Sequence, residues 1–553
     1  MILDGRTLPA DARFSVDLCI IGAGPAGLSI AKEFANSTVR VAVLESGGID
    51  RDPDIDRLGA GESVGYPYHA LNRVRARGIG GTSLRWEMRQ NVHDSGWVAR
   101  PLEPLDFEHR PGRPLSGWPL RYQDLEPFYR RAQVISRLGP FAYDTATWER
   151  DGAKQLPLGN GVRTVILQRG SQTFAHHVGT LAAADNISLI HHATVTRLVT
   201  VGESGRMAEV ITRPRPDSSV SVGARLFVLA TGGIENARIL LLTNDARPSG
   251  LGNGNGLVGR YFMERLTSRG GVLTPTDPNL LKQAAMYTSH IVDGTFVQGT
   301  LALSTDTIRR EQLNNAMLWL RPVPKAFASE GVRSALTLSR GLRRQPRIDG
   351  LAGYMGHIVT DLDQVASTAW HHLRSAHTRP EVFQVAFQAE ATPHAESRVM
   401  LSETRDRFGL PGTRLDWKIA EDDFRTIRRT IDLVDARLRA TGLGQIVRKF
   451  GDERPPSLIG GNFHHLGTTR MATDPRLGVV DKHCRVHETE NLYVAGSSVF
   501  PSAGFANPTL TIVALAVRLA DHLKQVLGCP PAQPSVQDQP RAAPFGSEPR
   551  ESA

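Results

Sequence analysis

Residues 15–27 read Ser-Val-Asp-Leu-Cys-Ile-Ile-Gly-Ala-Gly-Pro-Ala-Gly, and this stretch decides the fold. The run Ser15 to Ile21 predicts a strand, and a helix is expected from about Pro25 to Asn36. A second strand, Val39 to Leu44, follows and ends on Glu45, which completes a βαβ unit. Each glycine has a mechanical reason: Gly22 permits the tight turn, Gly24 lets the backbone approach a pyrophosphate on the helix N-terminus, and Gly27 lets helix and strand pack closely. Glu45 suits ribose hydroxyls and disfavours a 2′-phosphate. A lone glycine pattern also fits a turn that binds nothing. Strand, helix, second strand and terminal acid together point to a dinucleotide, with FAD and NAD both open at this stage.

Working outward, residues 47–120 are rich in Gly, Pro, Arg and Asp with little periodicity and read as a long functional loop region. A helix is expected over Arg121 to Arg137, and a second α/β stretch over about 162–262, with the strand Leu226 to Ala230 running into a helix that ends at Leu242. From about 268 to 450 the pattern changes to strand-like segments, such as Val382 to Ala389 and Arg398 to Leu401, plus a basic helix from Glu421 to Thr441. The α/β character returns with the strand Asn491 to Ala495 and a helix from Pro508 to about Val526. Residues 529–553 are rich in Pro, Gln, Ser and Arg and read as a disordered tail.

The chain has 553 residues, which corresponds to roughly three to four domain-sized units. Hydrophobic residues make up 40% and charged residues 22%, enough for a sizeable core. The net charge of +9 is scattered, so nucleic-acid binding has no support. Cys19, Cys484 and Cys529 are odd in number and far apart, which fits neither a disulfide framework nor a zinc knuckle, and no metal is expected. No apolar run reaches the ~18 residues of a membrane span, and the first one lacks the length and cleavage site of a signal peptide; the cytoplasm is the expected location.

Three further segments bear on the chemistry. The Ala230-Thr231-Gly232-Gly233 crossing and the loop Gly78-Ile79-Gly80-Gly81-Thr82-Ser83-Leu84-Arg85-Trp86 offer backbone N–H groups and hydroxyls to a phosphate or a ring edge. The run Gly461-Asn462-Phe463-His464-His465-Leu466-Gly467-Thr468 places two histidines before a glycine turn. In Ser502-Ala503-Gly504-Phe505-Ala506-Asn507-Pro508-Thr509, Asn507 reads as an N-cap with Pro508 at the first helical position, so the helix end suits negative charge.

These residues resemble the glucose-methanol-choline (GMC) oxidoreductase family. The likeness covers the βαβ unit with Glu45, the Gly80–Ser83 loop, the Ala230–Gly233 crossing and nearly all of residues 461–523, and is loose from about 270 to 450. The resemblance implies an α/β fold: a discontinuous Rossmann-like FAD-binding domain (1–110, 160–267 and 455–528) plus an α+β substrate-binding domain with an antiparallel sheet (111–159 and 268–454). It implies oxidation of an alcohol to a carbonyl by hydride transfer to FAD. By position His464 matches the family's base and Asn507 its His-or-Asn partner, with His465 the neighbour. The backbone near Val195, in an expected strand His192 to Leu198, resembles the adenine-contacting segment, and Gly22, Gly24, Gly27, Glu45, Gly81, Thr82, Ser83, Gly496, Asn507 and Thr509 are the other expected cofactor residues.

Two departures matter. Sugar oxidases of the pyranose type often carry a flavin-bonding histidine where this chain has Arg85, so FAD is expected to be non-covalent, and Glu87-Met88 places an acid near the flavin. Gln388 and Glu390 alternate onto one face of the strand Val382 to Ala389, and such polar groups suit a sugar, glycoside or other polyol. Oxygen or a quinone is the expected acceptor. The rival readings are a lyase of the same fold using the histidine as a base, and the catalytic subunit of a membrane-linked dehydrogenase, for which this chain has no Cys-x-x-Cys-His of its own.

Overall fold

The βαβ run is formed, with boundaries set by local chemistry. In the computed structural model the first of its strands is Ala12–Ile21, its helix Pro25–Glu33 and its second strand Val41–Leu44. The structure describes residues 1–529 apart from 87–95, 112, 114, 203–204, 246, 326–328, 343–350, 364, 367–378 and 452–458. Glu87-Met88 and the tail from 530 onward lie outside the described residues. The helix stops three residues short of the expected Asn36 because that residue takes a left-handed φ of 61° and donates its N–H to Asn186 Oδ1.

The first sheet runs in the order Ile2–Asp4, Ile187–His191, Val41–Leu44, Ala12–Ile21, Ser218–Leu229, Arg206–Arg215, Thr194–Val201, and Leu492–Val494 also pairs with Ser218–Leu229. Its first five strands are mutually parallel. Strands covered on both faces read as continuous apolar runs, and Val41–Leu44 is buried throughout. Leu18, Ile20, Phe227 and Val228 are fully buried at its centre, each such side chain contributing about 1.5–3 kcal/mol.

The second sheet is antiparallel, in the order Gly444–Arg448, Leu266–Pro275, Val382–Ala389, Ala316–Val323, Thr295–Leu303, Val162–Gly170, Trp97–Ala99. A third sheet joins Arg398–Arg405 and Pro411–Trp417 to Gly61–Gly65, so the Gly/Pro-rich region holds a strand that period-2 reading did not find. Among the described residues no helix is long and apolar enough to cross a membrane.

Several segments pair or pack across the expected domain boundaries, Trp97–Ala99 in the second sheet and Gly61–Gly65 in the third among them. Val162–Gly170, assigned by sequence to the dinucleotide unit, pairs with Thr295–Leu303 in the second sheet. The helix Tyr122–Ile135, assigned to the substrate unit, packs on the helix Thr509–Leu527: Tyr129 Oη meets Thr511 Oγ1 at 2.9 Å, and Arg131 bridges Glu33 and Asp521. Apolar alternation reveals a strand or a helix but not its partner, so these pairings could not be read from the sequence.

Candidate active site

A cavity of about 420 Å³ opens where the parallel strands end at Ile21 and Leu44, with Ala230 beside them, the usual place for a ligand on an open α/β sheet. Its first end is made of backbone. Gly22 has φ +107°, and a Cβ there would meet Ala230 O at 2.5 Å, so only glycine makes this turn. Gly27 is not in the lining; a Cβ on it would stand 1.9 Å from Gly22 O, which is the close helix–strand approach. Gly24 is different: a Cβ there would meet only Gly81 Cα, at 3.8 Å. That space lies over the start of the helix Pro25–Glu33, whose first N–H groups are unpaired within the helix.

Glu45 ends its strand against the cavity. Its Oε2 accepts from Ala23 N–H and its Oε1 from Gly47 N–H, both at 2.9 Å. Burial pushes its carboxyl up from the usual range, while these two N–H donors pull the other way. Val195 lines the same wall from Thr194–Val201, whose start lies two residues past the expected one because His192 breaks the extended path with φ 51°. Gly81, Thr82 and Ser83 line the opposite wall. The Ser83 hydroxyl donates to Gly80 O and accepts Phe174 N–H, so it closes its own loop and spends little on a ligand.

The second end is made of side chains. His464, His465, Asn507, Gly496 and Thr509 all reach the cavity. His464 is held through its backbone: its N–H is shared between both oxygens of the fully buried Glu264, at 2.9 and 3.0 Å. Its Nδ1 is buried without a hydrogen-bond partner and lies 4.0 Å from Glu264 Oε1. Burial, then Arg265 and His465, hold the His464 imidazole well below its ordinary range, which keeps it neutral. The Tyr68 hydroxyl donates to Glu264 Oε2 at 2.5 Å and meets His465 Nε2 at 2.9 Å. Burial, with Arg75 nearby, lowers His465 to about 3.

Asn507 does not cap the helix as its sequence position suggests. Pro508 is the N-cap of Thr509–Leu527, and Asn507 Oδ1 instead accepts from Gln388 Nε2 at 3.0 Å. Gln388 also donates to Phe505 O at 2.7 Å and accepts from Asn462 Nδ2 at 3.2 Å, so it holds Asn507 and Asn462 rather than lining the cavity itself. Glu390 is also absent from the lining. Its two oxygens take Arg110 Nη2 at 2.8 Å each and it is 1% exposed, which makes it half of a buried ion pair and corrects its expected role in substrate binding.

Sequence reasoning missed Tyr68, Glu264 and Arg265, and the cavity-lining Arg75 and Arg77, which pair with Glu235 at 2.8 and 3.0 Å. The alternating arginines Arg73, Arg75 and Arg77 just before the Gly78 loop were the available signal for the latter two. Glu264 and Arg265 carried none.

One cavity thus brings together a glycine-built space at a helix start, the buried acid Glu45 and a neutral imidazole, the parts that an oxidoreductase with a dinucleotide cofactor needs. Residues 393–516 match the GMC oxidoreductase family. Over 92% of its length it is 23% identical to the 2-methyl-1,2-propanediol dehydrogenase of Mycolicibacterium austroafricanum, of which 95% is covered. Over 24% of its length it is 37% identical to the C-glycoside 3-oxidase of Arthrobacter globiformis, of which 25% is covered. The pyridoxine 4-oxidase of Mesorbium loti has the same fold, with a TM-score of 0.56, 16% identity, and 92% of this chain and 99% of that one covered.

Proposed function

We propose that this protein oxidises a hydroxyl of a sugar, glycoside or other polyol to a carbonyl, with FAD as its cofactor and His464 as the base. The observation that carries the reading is the neutral imidazole of His464 lining the same cavity as the Gly24 cradle and Glu45. The residues fit FAD: the space that a Cβ on Gly24 would fill suits a pyrophosphate, and Glu45 keeps oxygen lone pairs for ribose hydroxyls. FAD, when bound, would supply the hydride acceptor for oxidation of an alcohol carbon.

The protein's residues handle the proton and the geometry. His464 takes the hydroxyl proton, a contribution of ~10²–10⁴-fold for a positioned base. Glu264 fixes the backbone of His464 and stands ready to favour the imidazolium that results. Asn507 keeps its amide N–H₂ for the substrate oxygen, because its Oδ1 is already held by Gln388. The first turn of Thr509–Leu527 turns the positive end of its dipole to that side of the cavity. Arg85 donates to Asp56, Asn72 O and Arg75 O and offers no nucleophile to a flavin, which supports non-covalent FAD; acid precipitation should leave the flavin in the supernatant.

The substrate class rests on the propanediol and C-glycoside named for the two relatives. The test is anaerobic mixing with monosaccharides, glycosides and simple diols while the flavin colour is followed, then admission of air. Bleaching by a polyol supports the reading, and fast recovery in air assigns oxygen over a quinone as acceptor. A yellow protein that none of them bleaches, and that converts a substrate without electron transfer, overturns it in favour of a lyase.

A further inference from the structure

Two histidines and an aspartate meet at the edge of the first sheet, and none of the three lines the cavity. The parallel pairing of Ile2–Asp4 with Ile187–His191 sets Asp4 beside His191. In a continuing strand His192 would point to the face opposite His191. Instead its φ of 51° puts it in the left-handed region, which a non-glycine residue enters at a cost, and its N–H donates to Gly47 O. The turn brings the two imidazole centroids to 5.0 Å.

One ligand-type atom from each of Asp4, His191 and His192 lies within 4.8 Å of the others. The histidines are 9% and 8% exposed, and His191 Nδ1 is buried with no hydrogen-bond partner. A buried nitrogen left without a partner calls for a reason.

We propose that Asp4, His191 and His192 form a binding site for a divalent transition-metal cation, with Zn²⁺ the best match. Two imidazoles, one carboxylate and a water make a tetrahedral set with bonds of ~2.0–2.2 Å, so the donor atoms close up by roughly an ångström through side-chain rotation. Arg6 is the competitor. Its Nε and Nη2 hold both Asp4 oxygens, the shortest contact being 2.6 Å, and the cation displaces this half-exposed side chain into water. A bound cation ties the edge strand to the turn that carries Ala193 and Val195 to the cavity wall, where Ala193 N–H also donates to Glu45 O. The site is a clip on that wall and has no part in the reaction.

The test uses the tag-free yellow holoprotein, stripped with a chelating resin and titrated with Co²⁺ while the visible d–d absorption is read. One Co²⁺ per chain, displaced by Zn²⁺, with a higher melting temperature in Zn²⁺, is the expected result. His192→Asn keeps a residue that tolerates the left-handed turn and removes a ligand, and should weaken binding by at least ~10-fold. Arg6→Gln removes the competitor and should tighten binding. Absence of a stoichiometric site, equal binding in His192→Asn, or unchanged affinity in Arg6→Gln each overturns the three-ligand site. These readouts are independent of any turnover.

Discussion

The two ends of the cavity are built from different material. At the Glu45 end much of the wall is main chain, and the glycines there matter for atoms they lack: Gly22 and Gly81 sit where a Cβ would strike neighbouring backbone, and Gly24 leaves space open to the cavity. At the His464 end the walls are side chains from distant segments that hold one another in sequence, Asn462 to Gln388 to Asn507 and Tyr68 to Glu264 to the backbone of His464. A wall of backbone is sensitive to added atoms, while a wall of linked side chains is sensitive to removed ones.

Substitutions on the two ends should therefore separate cofactor retention from chemistry. His464→Ala removes the base and should slow flavin reduction by ~10²–10⁴-fold in anaerobic stopped flow, with the protein still yellow. Reduction at the normal rate would move the base elsewhere. Glu390→Gln strips the partner from the buried Arg110 and should cost about 3–5 kcal/mol in denaturant unfolding, with little change in substrate affinity of the folded fraction. A changed affinity with unchanged stability would restore the substrate role that its strand position suggested.

Gly24→Ala should fold normally, because its Cβ meets only Gly81 Cα at 3.8 Å, and should lose FAD on gel filtration, with affinity down by about tenfold or more. Full retention would mean that the pyrophosphate lies elsewhere. Gln388→Ala leaves Asn507 free to turn and should cost about one order of magnitude in reduction rate, a smaller effect than loss of the base.

The last contrast is in pH dependence, where the change over any one pH unit is small. His464 and His465 sit below their ordinary range in the folded chain, so below about pH 6.5 the unfolded chain binds more protons than the native one. Stability should then fall as pH drops from about 6.5 towards about 3 for His465, by up to ~1.4 kcal/mol per pH unit for each histidine. The reduction rate of the folded enzyme should stay flat through the upper part of that window, because His464 remains neutral. A melting temperature that is level between pH 7 and pH 4, or a rate that falls with an ordinary histidine pKa, would contradict the burial of these rings.

The same difference in material explains what could be read from the sequence. The backbone end is local: strand, glycines, helix and acid fall within residues 12–45, and turn chemistry leaves a signature at fixed spacing. The two histidines and Asn507 stood out by local turn and cap chemistry, and their roles as base and partner came from resemblance to a family, not from periodicity. Tyr68 and Glu264 were not found, because their partners lie 196 residues apart for one bond and 200 for the next, and no local pattern encodes such a pairing. Gln388 and Glu390 show the limit of alternation, which placed both on one face but could not say that Arg110 would claim Glu390.

The strand Leu492–Val494 pairs with Ser218–Leu229, and the cavity wall that contains Gly496 and Thr509 follows directly after it. On a ribosome the amino-terminal cradle is therefore complete long before its sheet acquires this last strand. At ~5–20 residues per second the interval is on the order of tens of seconds. Through that interval one edge of the Ser218–Leu229 main chain lacks its final partner, and the substrate-side sheet is synthesised in between. The complete cavity, with Gly496 and Thr509 in its wall, is thus available only after this late strand has been made.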